Sequence, residues 1–269
     1  MMLEKTLVVI KGAGDIATGV GLRLYRCGVS LVMTEQFHPT PVRRTVAFAE
    51  AIYKGETSVE GITARLIEDP AHVYSTLRDG VIPIIADPEA KIIPVLKPKV
   101  VVDAIIAKKN LGTTISDAPF VIGLGPGFTA GKDVHAVIET NRGHNLGRVI
   151  LNGSAEPNTG VPGDINGYGI ERVLRSPADG IFVPIREIGD FLQKGELIAK
   201  VEGKPVVAPF DGTLRGLLHG KVRVFKGMKI GDVDPRAMKE HCFTISDKGL
   251  AIGGGVLEAI LSHRHVISE

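Results

Sequence analysis

Three small residues near the start of the chain stand at the spacing of a phosphate-binding turn. Gly12, Gly14 and Ala17 form a G-x-G-x-x-A pattern directly after the apolar run from Thr6 to Ile10. The first glycine permits a tight turn, the second lets a phosphate approach the backbone, and the small third residue lets a helix pack closely on a strand. Free N–H groups at the start of that helix would face the anion. We therefore expect the cofactor-binding residues of this turn to be Gly12, Ala13, Gly14, Asp15, Ala17 and Thr18.

Charged residues beyond the second apolar strand bear on which nucleotide the turn would hold. Glu35 lies just past the strand predicted from Val29 to Met33, about 20 residues after the glycines, where NAD-type sites place a partner for the ribose 2′-hydroxyl. Arg43 and Arg44 follow and could pair with a phosphate instead. The sequence therefore does not distinguish an NAD site from an NADP site. It is also compatible with a turn whose glycines serve only tight packing.

Three other residues are candidates for proton transfer. Asp103 and Lys108 lie in or just after a strand predicted from Val100 to Ile106, and the carboxyl ends of strands in open α/β sheets face the ligand crevice. His135 is the third candidate and lies in an alternating apolar stretch. The alternative for Asp103 is a structural aspartate in a solvated loop.

A second glycine-rich turn, with Gly125 and Gly127, follows a further apolar strand. Such a turn brings backbone amides close to an oxyanion or makes a tight bend, and we include both glycines among the cofactor-binding candidates. Downstream, Asp133 and His135 share a face of the strand that the apolar alternation favours, but no third ligand is guaranteed. The sequence therefore does not favour a metal site.

Apolar strands alternate with helical segments through the first hundred residues, including a helix predicted from Pro41 to Tyr53. The strands are too apolar to be exposed on either face, which implies a parallel sheet with helices on both sides. We therefore predict an α/β fold, with a Rossmann-like domain and its glycine-rich extension over residues 1–170. Cys27 falls on the apolar side of the first helix and is predicted to be buried.

A repeat with an offset of 32 residues marks residues 171–236. SPADG at 176–180 recurs as APFDG at 208–212, and KGELI at 194–198 recurs as KGMKI at 226–230. This duplicated β-unit predicts a small all-β barrel and resembles a biotinyl or lipoyl domain, or the related barrel-sandwich hybrid. Lys204 stands where such carriers hold their lysine, but the hairpin is shorter and lacks the carrier methionines. No covalent biotin or lipoate is therefore expected.

The remaining residues, 237–269, are predicted to pack back on the α/β domain. Gly253 to Gly255 precede an apolar helix expected from about Val256 to Ser262. The start of this helix is a second candidate anion site, or the segment is a terminal helix that completes a core.

The composition limits the partners. The chain has 269 residues, with 32 basic and 30 acidic side chains and a net charge of +2, so no electrostatic argument favours nucleic acid or anionic lipid. No apolar run approaches the length of a membrane span and no signal-peptide pattern is present, and we expect a cytoplasmic protein. Two cysteines exclude a disulfide framework. Assembly into a homo-oligomer stays open.

Several motifs together resemble a known family. They are KGAGDIATG, VVDAIIAKKNLGT, VIGLGPGFTAGKDVHAVIETNRGH, GSAEPNTGVPG, the SPADG repeat, GDVDPR and SDKGLAIGGGVLEA. This set is similar to the YqeB-type accessory proteins of the selenium-dependent molybdenum hydroxylase system. The resemblance implies a role in maturing or supplying the molybdenum centre of a client hydroxylase. The chain itself lacks the cysteine clusters that iron–sulfur centres require.

Two functions from different classes follow. The first is a maturation protein that binds the phosphate of a nucleotide or of a molybdopterin-type ligand at the Gly12 to Thr18 turn and docks a molybdenum hydroxylase through its barrel. The second is an NAD(P)-dependent oxidoreductase acting on a small molecule, with Asp103, Lys108 or His135 in proton transfer. No proton relay typical of a dehydrogenase is identifiable in the sequence, which favours the first. Whether the chain catalyses a reaction of its own stays open.

Overall fold

The computed structural model describes residues 6–160, 163–220 and 222–263, and its contacts divide the chain into two units. The first unit takes the described parts of Met1–Pro39, Phe48–Thr159 and Ile245–Glu269. The second unit comprises the described parts of Thr40–Ala47 and Gly160–Thr244. The boundaries therefore differ from those predicted after residues 170 and 236, and Thr40–Ala47 belongs to the second unit.

Short apolar segments form the strands of the first unit, most of them buried on both faces. The strands are β1 (Leu7–Lys11), β2 (Ser30–Glu35), β3 (Glu56–Val59), β4 (Ile62–Leu66), β5 (Ile82–Ala86), β6 (Val100–Asp103), β7 (Phe120–Leu124), β8 (Thr129–Ala130), β9 (Ala136–Ile138), β10 (Val149–Ile150) and β11 (Gly153–Ser154). The helices are α1 (Asp15–Arg26), α2 (Ala51–Lys54), α3 (Val73–Arg78), α4 (Ile92–Leu96) and α5 (Asp247–Ser262). Across the described ranges, none of the helices combines the length and apolar character that crossing a bilayer requires.

Within the described residues, nine of these strands form one mixed sheet in the order β10-β9-β7-β6-β1-β2-β5-β4-β3. Neighbours from β9 to β4 are parallel, and the outermost strand on each side is antiparallel. Lys11 pairs with Thr34 of β2 and with Asp103 of β6. The carboxyl ends of the parallel strands therefore meet at one end of the sheet, which we call the carboxyl edge.

The predicted fold class, a Rossmann-like parallel sheet with a barrel-sandwich hybrid, is wrong. The sheet is mixed because Glu60 and Gly61, both with positive φ, join β3 to β4 as a tight antiparallel hairpin, and because β10 folds back on β9. The second unit contains two separate four-stranded antiparallel sheets. Apolar character in a strand reports burial of its faces, but it does not report the direction of the strand.

The helix predicted from Pro41 to Tyr53 is also wrong. The structure has two 3₁₀ segments there, Arg44–Val46 and Phe48–Glu50, and then the single turn of α2. The apolar residues of this stretch are divided between the two units, so their spacing does not describe one helical face. Cys27, predicted to be buried, is exposed at the C-terminal end of α1.

Glycines let α5 lie directly against α1. A Cβ added to Gly19 would lie 2.9 Å from the carbonyl oxygen of Gly249, and one added to Gly253 would lie 2.8 Å from the carbonyl oxygen of Gly19. Gly19 of α1 thus packs on Gly249 of α5, and Arg23, four residues later, packs on Gly253, which is also four residues later. The two helices therefore run in the same direction. Because α1 starts at the carboxyl edge, α5 starts there too.

The start of α5 corrects a further prediction. The helix begins at Asp247 and not near Val256, with the Ser246 hydroxyl accepting a hydrogen bond from the N–H of Gly249. Gly253 to Gly255 therefore lie inside a helix, where their amides are not those of its N-terminus. Gly253 packs on α1 and Gly255 on the Gly147 carbonyl group, whereas a Cβ on Gly254 would meet no atom of the described residues within 4 Å.

The second unit is built on the predicted 32-residue repeat. Its strands are β12 (Val173–Arg175), β13 (Gly180–Pro184), β14 (Phe191–Leu192), β15 (Leu197–Val201), β16 (Lys204–Val207), β17 (Gly212–Leu217), β18 (Arg223–Val224) and β19 (Lys229–Asp234). The two sheets have the orders β12-β19-β17-β14 and β16-β15-β13-β18, so each sheet takes strands from both repeats. Lys204 is the first residue of β16, after the Glu202–Gly203 turn, and pairs with Val201.

Matching hydrogen bonds connect the two repeats. Asp211 accepts a 2.7 Å hydrogen bond from the N–H of Lys194, and Asp179 accepts one of 2.7 Å from the N–H of Lys226. Each aspartate thus binds the K-G turn of the other repeat. The duplicated sequence therefore makes a unit with internal twofold pseudosymmetry.

Candidate functional site

The glycine turn between β1 and α1 lies at the carboxyl edge. Gly12 has φ of +97°, and a Cβ there would lie 3.1 Å from the carbonyl oxygen of Ala104. Gly14 has an ordinary φ of −65°, and a Cβ there would meet no atom of the described residues within 4 Å. Glycine at position 12 is therefore required by backbone conformation and close packing, whereas position 14 faces open space at the start of a helix.

Glu35 ends β2 and binds the turn itself. Its Oε2 accepts a 2.8 Å hydrogen bond from the N–H of Ala13, and its Oε1 accepts one of 2.7 Å from the N–H of Gln36. Burial has the largest effect on this carboxyl and raises its pKa, although the two backbone hydrogen bonds act to lower it. The Ala13 N–H is thus already bonded to Glu35. An anion at this turn would instead bind the N–H groups at the start of α1.

Thr18 and Ala17 hold the turn from inside. The Thr18 hydroxyl donates to the carbonyl oxygen of Ala13 at 3.2 Å and accepts from the N–H of Phe48 at 2.9 Å. Both side chains are buried, Thr18 completely. These two members of the predicted set therefore stabilise the turn without facing the open space beside Gly14.

Lys248, in the first turn of α5, is a candidate binding residue that sequence reasoning missed. It lies between Gly249, which packs on α1, and Asp247, whose carboxylate makes a bidentate ion pair with Arg142 at 2.6 and 2.9 Å. Burial is the main cause that lowers its pKa, and the nearby positive charges of Arg142 and Lys108 lower it further.

Two acidic groups oppose these cations. Asp15 and Glu139 are both close enough to Lys248 to raise its pKa, although burial and the cations outweigh them. The Glu139 carboxylate accepts 2.7 Å hydrogen bonds from the N–H groups of Asn141 and Glu156, which hold it in place. The starts of α1 and α5 thus bring charged side chains together from four separate parts of the sequence, at positions 15, 108, 139–142 and 247–248. Ser246 as an N-cap, followed by an acidic residue, is the signal that could have placed Lys248 at a helix start.

A buried polar network lies beneath the same edge. Lys11 Nζ donates a 2.5 Å hydrogen bond to Thr113 Oγ1, which donates one of 2.6 Å to Asp103 Oδ2. Lys11 Nζ and Asp103 Oδ2 are 3.8 Å apart, and all three residues are buried. The network anchors the segment from Ala104 to Thr113, which carries Lys108, to the end of β1.

The second glycine turn also supports this segment. A Cβ on Gly127, which has φ of +110°, would lie 2.6 Å from the Cα of Lys109. Gly125 has φ of +75°, and a Cβ there would collide with the Thr140 side chain. Both glycines therefore have a packing reason to be glycine, and the Gly127 turn holds the backbone next to Lys108.

His135 lies at the other end of the sheet. Its Nδ1 accepts a 2.9 Å hydrogen bond from the N–H of Val121, and its ring lies 5.5 Å from that of Phe120 at the start of β7. Burial lowers its pKa, with a smaller contribution from His263. The structure therefore brings Asp103 and Lys108 into one region but does not bring His135 there. Among the described residues, no group of three or more His, Cys, Asp or Glu side chains could hold a metal ion.

Arg43 and Arg44, the predicted alternative phosphate partners, belong to the second unit. Arg43 donates to the carbonyl oxygens of His241 and Thr244 at 2.9 and 3.0 Å, and Arg44 Nε donates to that of Leu217 at 3.1 Å. These guanidinium groups thus bind backbone carbonyls of their own unit. The glycine turn belongs to the first unit.

Comparison with known proteins identifies a relative by sequence. No family model matches the chain. The chain is 52% identical over 259 residues to the uncharacterized protein YqeB of Escherichia coli K12, across 96% of this chain and 48% of that protein. The chain is thus similar to the YqeB type. This confirms the likeness to the YqeB type that the motifs predicted, whereas the role in a molybdenum hydroxylase system stays a prediction. The chain spans about half the length of this relative.

Solved structures give only weak likenesses. An aspartoacylase family protein from Mesorhizobium loti is 12% identical, with 85% of this chain and 84% of that chain covered and a TM-score of 0.27. A succinylglutamate desuccinylase/aspartoacylase from Rhodobacter sphaeroides is 13% identical, with the same coverage and a TM-score of 0.28. These TM-scores are too low to support a conclusion about fold or function.

Proposed function

We propose that this chain binds a small phosphate-bearing molecule, a nucleotide or a pterin, at the glycine turn, as an accessory protein in the maturation of a molybdenum hydroxylase. The observation that supports binding most directly is the group of cations at the carboxyl edge. Lys248 is partly buried near Lys108 and Arg142, and its ammonium makes no hydrogen bond or ion pair within the described chain. Arg142 is already paired with Asp247, so Lys248 and Lys108 are the two cations whose mutual repulsion a bound phosphate would relieve.

Backbone dipoles support the same assignment. The N-terminus of a helix carries a partial positive charge and unsatisfied N–H groups, so it favours an anion. Both α1 and α5 begin at the carboxyl edge, and Gly14 leaves open space there. In this proposal Lys248 and Lys108 neutralise the phosphate, the helix starts orient it, and Glu35 holds the turn in shape through the Ala13 amide.

The accessory role rests on the similarity to the YqeB type and on the motifs that carry it. Docking of a client through the second unit is part of the same proposal. The outer face of β13 supports it, because Ile181 and Val183 are 41% and 51% exposed. Apolar side chains on the surface of a sheet favour contact with another protein.

The alternative, an NAD(P)-dependent oxidoreductase, has less support. A proton-transfer group must reach the reacting atom of the substrate. The Asp103 carboxylate is instead buried and bonded to Thr113, and His135 lies at the opposite end of the sheet. Bound NAD(P)H with a substrate-dependent change in absorbance would reverse this preference.

The binding proposal is tested with inorganic pyrophosphate and two matched variants. Gly14→Asp places a side chain and a negative charge in the open space at the start of α1, and we expect it to weaken binding by about tenfold or more. Gly254→Asp adds the same charge within α5, also where a Cβ meets no atom in the described parts of the chain within 4 Å, and should leave binding unchanged. The measurement is isothermal titration calorimetry, with circular dichroism to verify folding.

Unchanged pyrophosphate affinity in folded Gly14→Asp would show that the turn is structural. Native mass spectrometry of protein purified without added ligand then identifies any nucleotide or pterin that the cell supplies. A mass increment that disappears in Gly14→Asp and persists in Gly254→Asp is the expected result.

A further inference from the structure

An open cavity of about 380 Å³ lies at the carboxyl edge beside β5. Ile85 and Ile92 are buried at its floor, whereas Phe37 and Val95 on its rim are 61% and 65% exposed. Concave sites of this size with apolar walls and a few polar groups are typical of small-molecule binding. Two large apolar side chains left exposed around an open cavity favour a ligand that covers them.

The cavity is close to the glycine turn. Glu35, which holds that turn, pairs with Ala86 of β5, and the N–H of Asp87 donates to the carbonyl oxygen of Glu35 at 3.0 Å. In the order β1-β2-β5 the cavity is two strands from the turn, roughly 10 Å at the usual strand spacing. One extended small molecule can therefore reach both places.

The charges around the cavity disfavour a phosphate inside it. Glu68, Asp87 and Glu89 contribute three carboxylates, and Lys91 is the cation, already paired with Glu89 at 2.9 Å. Carboxylates accept hydrogen bonds but do not donate them, so they match a ligand that presents N–H groups. The cations at the glycine turn have the opposite preference.

We infer that this cavity binds a planar heteroaromatic ring with an exocyclic amino group, carried on the same molecule whose phosphate lies at the glycine turn. The inference rests on the proposed function. The ring packs between Phe37 and Val95 above Ile85, and its amino group donates to a rim carboxylate. Aminopurines and pterins share this chemistry. The ring of such a ligand lies in the cavity, and its phosphate lies beside the cations at the glycine turn.

The test compares diphosphates that differ only in the group attached. The probes are ADP, 6-hydroxymethylpterin diphosphate, UDP and inorganic pyrophosphate, titrated calorimetrically into the full chain. We expect ADP or the pterin diphosphate to bind at least about tenfold more tightly than pyrophosphate. UDP, whose base lacks an exocyclic amino group, should bind less tightly than the better of these two.

Two matched truncations locate the ring. Phe37→Ala should weaken the ring-bearing diphosphate by about fivefold to tenfold and leave pyrophosphate unchanged, because an aromatic contact is lost while the phosphate site is intact. Leu151→Ala removes a similarly exposed apolar side chain of the same unit, 53% exposed and not part of the cavity lining, and should change neither.

The outcomes separate this inference from the proposed function. If all probes bind the wild-type chain with equal affinity, or if Phe37→Ala leaves the ring-bearing probe unchanged, the ring assignment fails and phosphate binding stands. The amino-group assignment is overturned if UDP binds as tightly as the better of ADP and the pterin diphosphate. If no probe binds at all, the phosphate site fails and the ring assignment fails with it.

Discussion

Replacing Asp103 with alanine should destabilise the first unit strongly. The change leaves the Lys11 ammonium buried at the end of β1 without its counter-ion and removes the acceptor of the Thr113 hydroxyl. Lys11 is only 6% exposed and Asp103 only 2%, so water cannot replace the lost carboxylate without opening the structure.

The geometry of the network determines how much unfolding free energy Asp103→Ala should lose. Breaking a buried ion pair by removing one partner costs about 3–5 kcal/mol, because an uncompensated charge remains. Here the two charged atoms are 3.8 Å apart and joined through Thr113, which still accepts from Lys11 after the substitution. We therefore expect a loss near the lower end, about 3 kcal/mol.

A triple variant provides the matched control. Lys11→Met, Asp103→Leu and Thr113→Val together replace the network by apolar groups of similar size. Such replacements are often neutral or stabilising, so the triple variant should recover most of the loss. Amide hydrogen exchange of peptides covering β1 and β6, read by mass spectrometry, measures the opening free energy of this unit specifically. The reasoning is refuted if Asp103→Ala costs less than about 1 kcal/mol, or if the triple variant is no more stable than the single one.

Two further predictions concern helix packing and pH. Gly19→Ala places a Cβ 2.9 Å from a carbonyl oxygen of α5 and should lower the unfolding free energy by about 1–3 kcal/mol. Gly254→Ala lies on α5 where a Cβ meets no described atom within 4 Å, and it should raise the unfolding free energy by up to about 1 kcal/mol. Urea titration of the two variants measures both changes. The pKa of Glu35 is raised above its ordinary 4.5 by burial, so its contribution to unfolding free energy falls as pH rises through the interval between the unfolded and folded values. Glu35→Gln should flatten that part of the profile of urea midpoint against pH, and an unchanged slope would contradict the assignment.

Local pattern predicted much of the local structure. The first strand, the glycine turn and α1 follow from an apolar β-branched run, small residues and a helical apolar face. The hairpin of β3 and β4 turns at Glu60 and Gly61, two adjacent residues with positive φ. These elements depend on interactions within a few residues, which the order of side chains along the chain specifies.

The prediction of fold class was wrong where the result depends on which strands pair over long distances in the sequence. Strand direction at the two outer strands of the sheet depends on which strand each one meets, and apolar content does not carry that information. The placement of Arg43 in the second unit is of the same kind, because its guanidinium binds carbonyl groups about 200 residues away.

The order of residues along the chain is enough to specify the glycine turn, the apolar strands and the 32-residue repeat, since each depends on spacing within one segment. Which charges surround that turn depends on contacts between distant segments. Lys248 joins Lys108 and Arg142 because glycines in α1 and α5 let two helices from opposite ends of the chain run side by side in one direction. The cavity beside β5 has the same origin, because Phe37, which follows β2, and Val95, in α4, line it together only once the sheet has placed β2 next to β5.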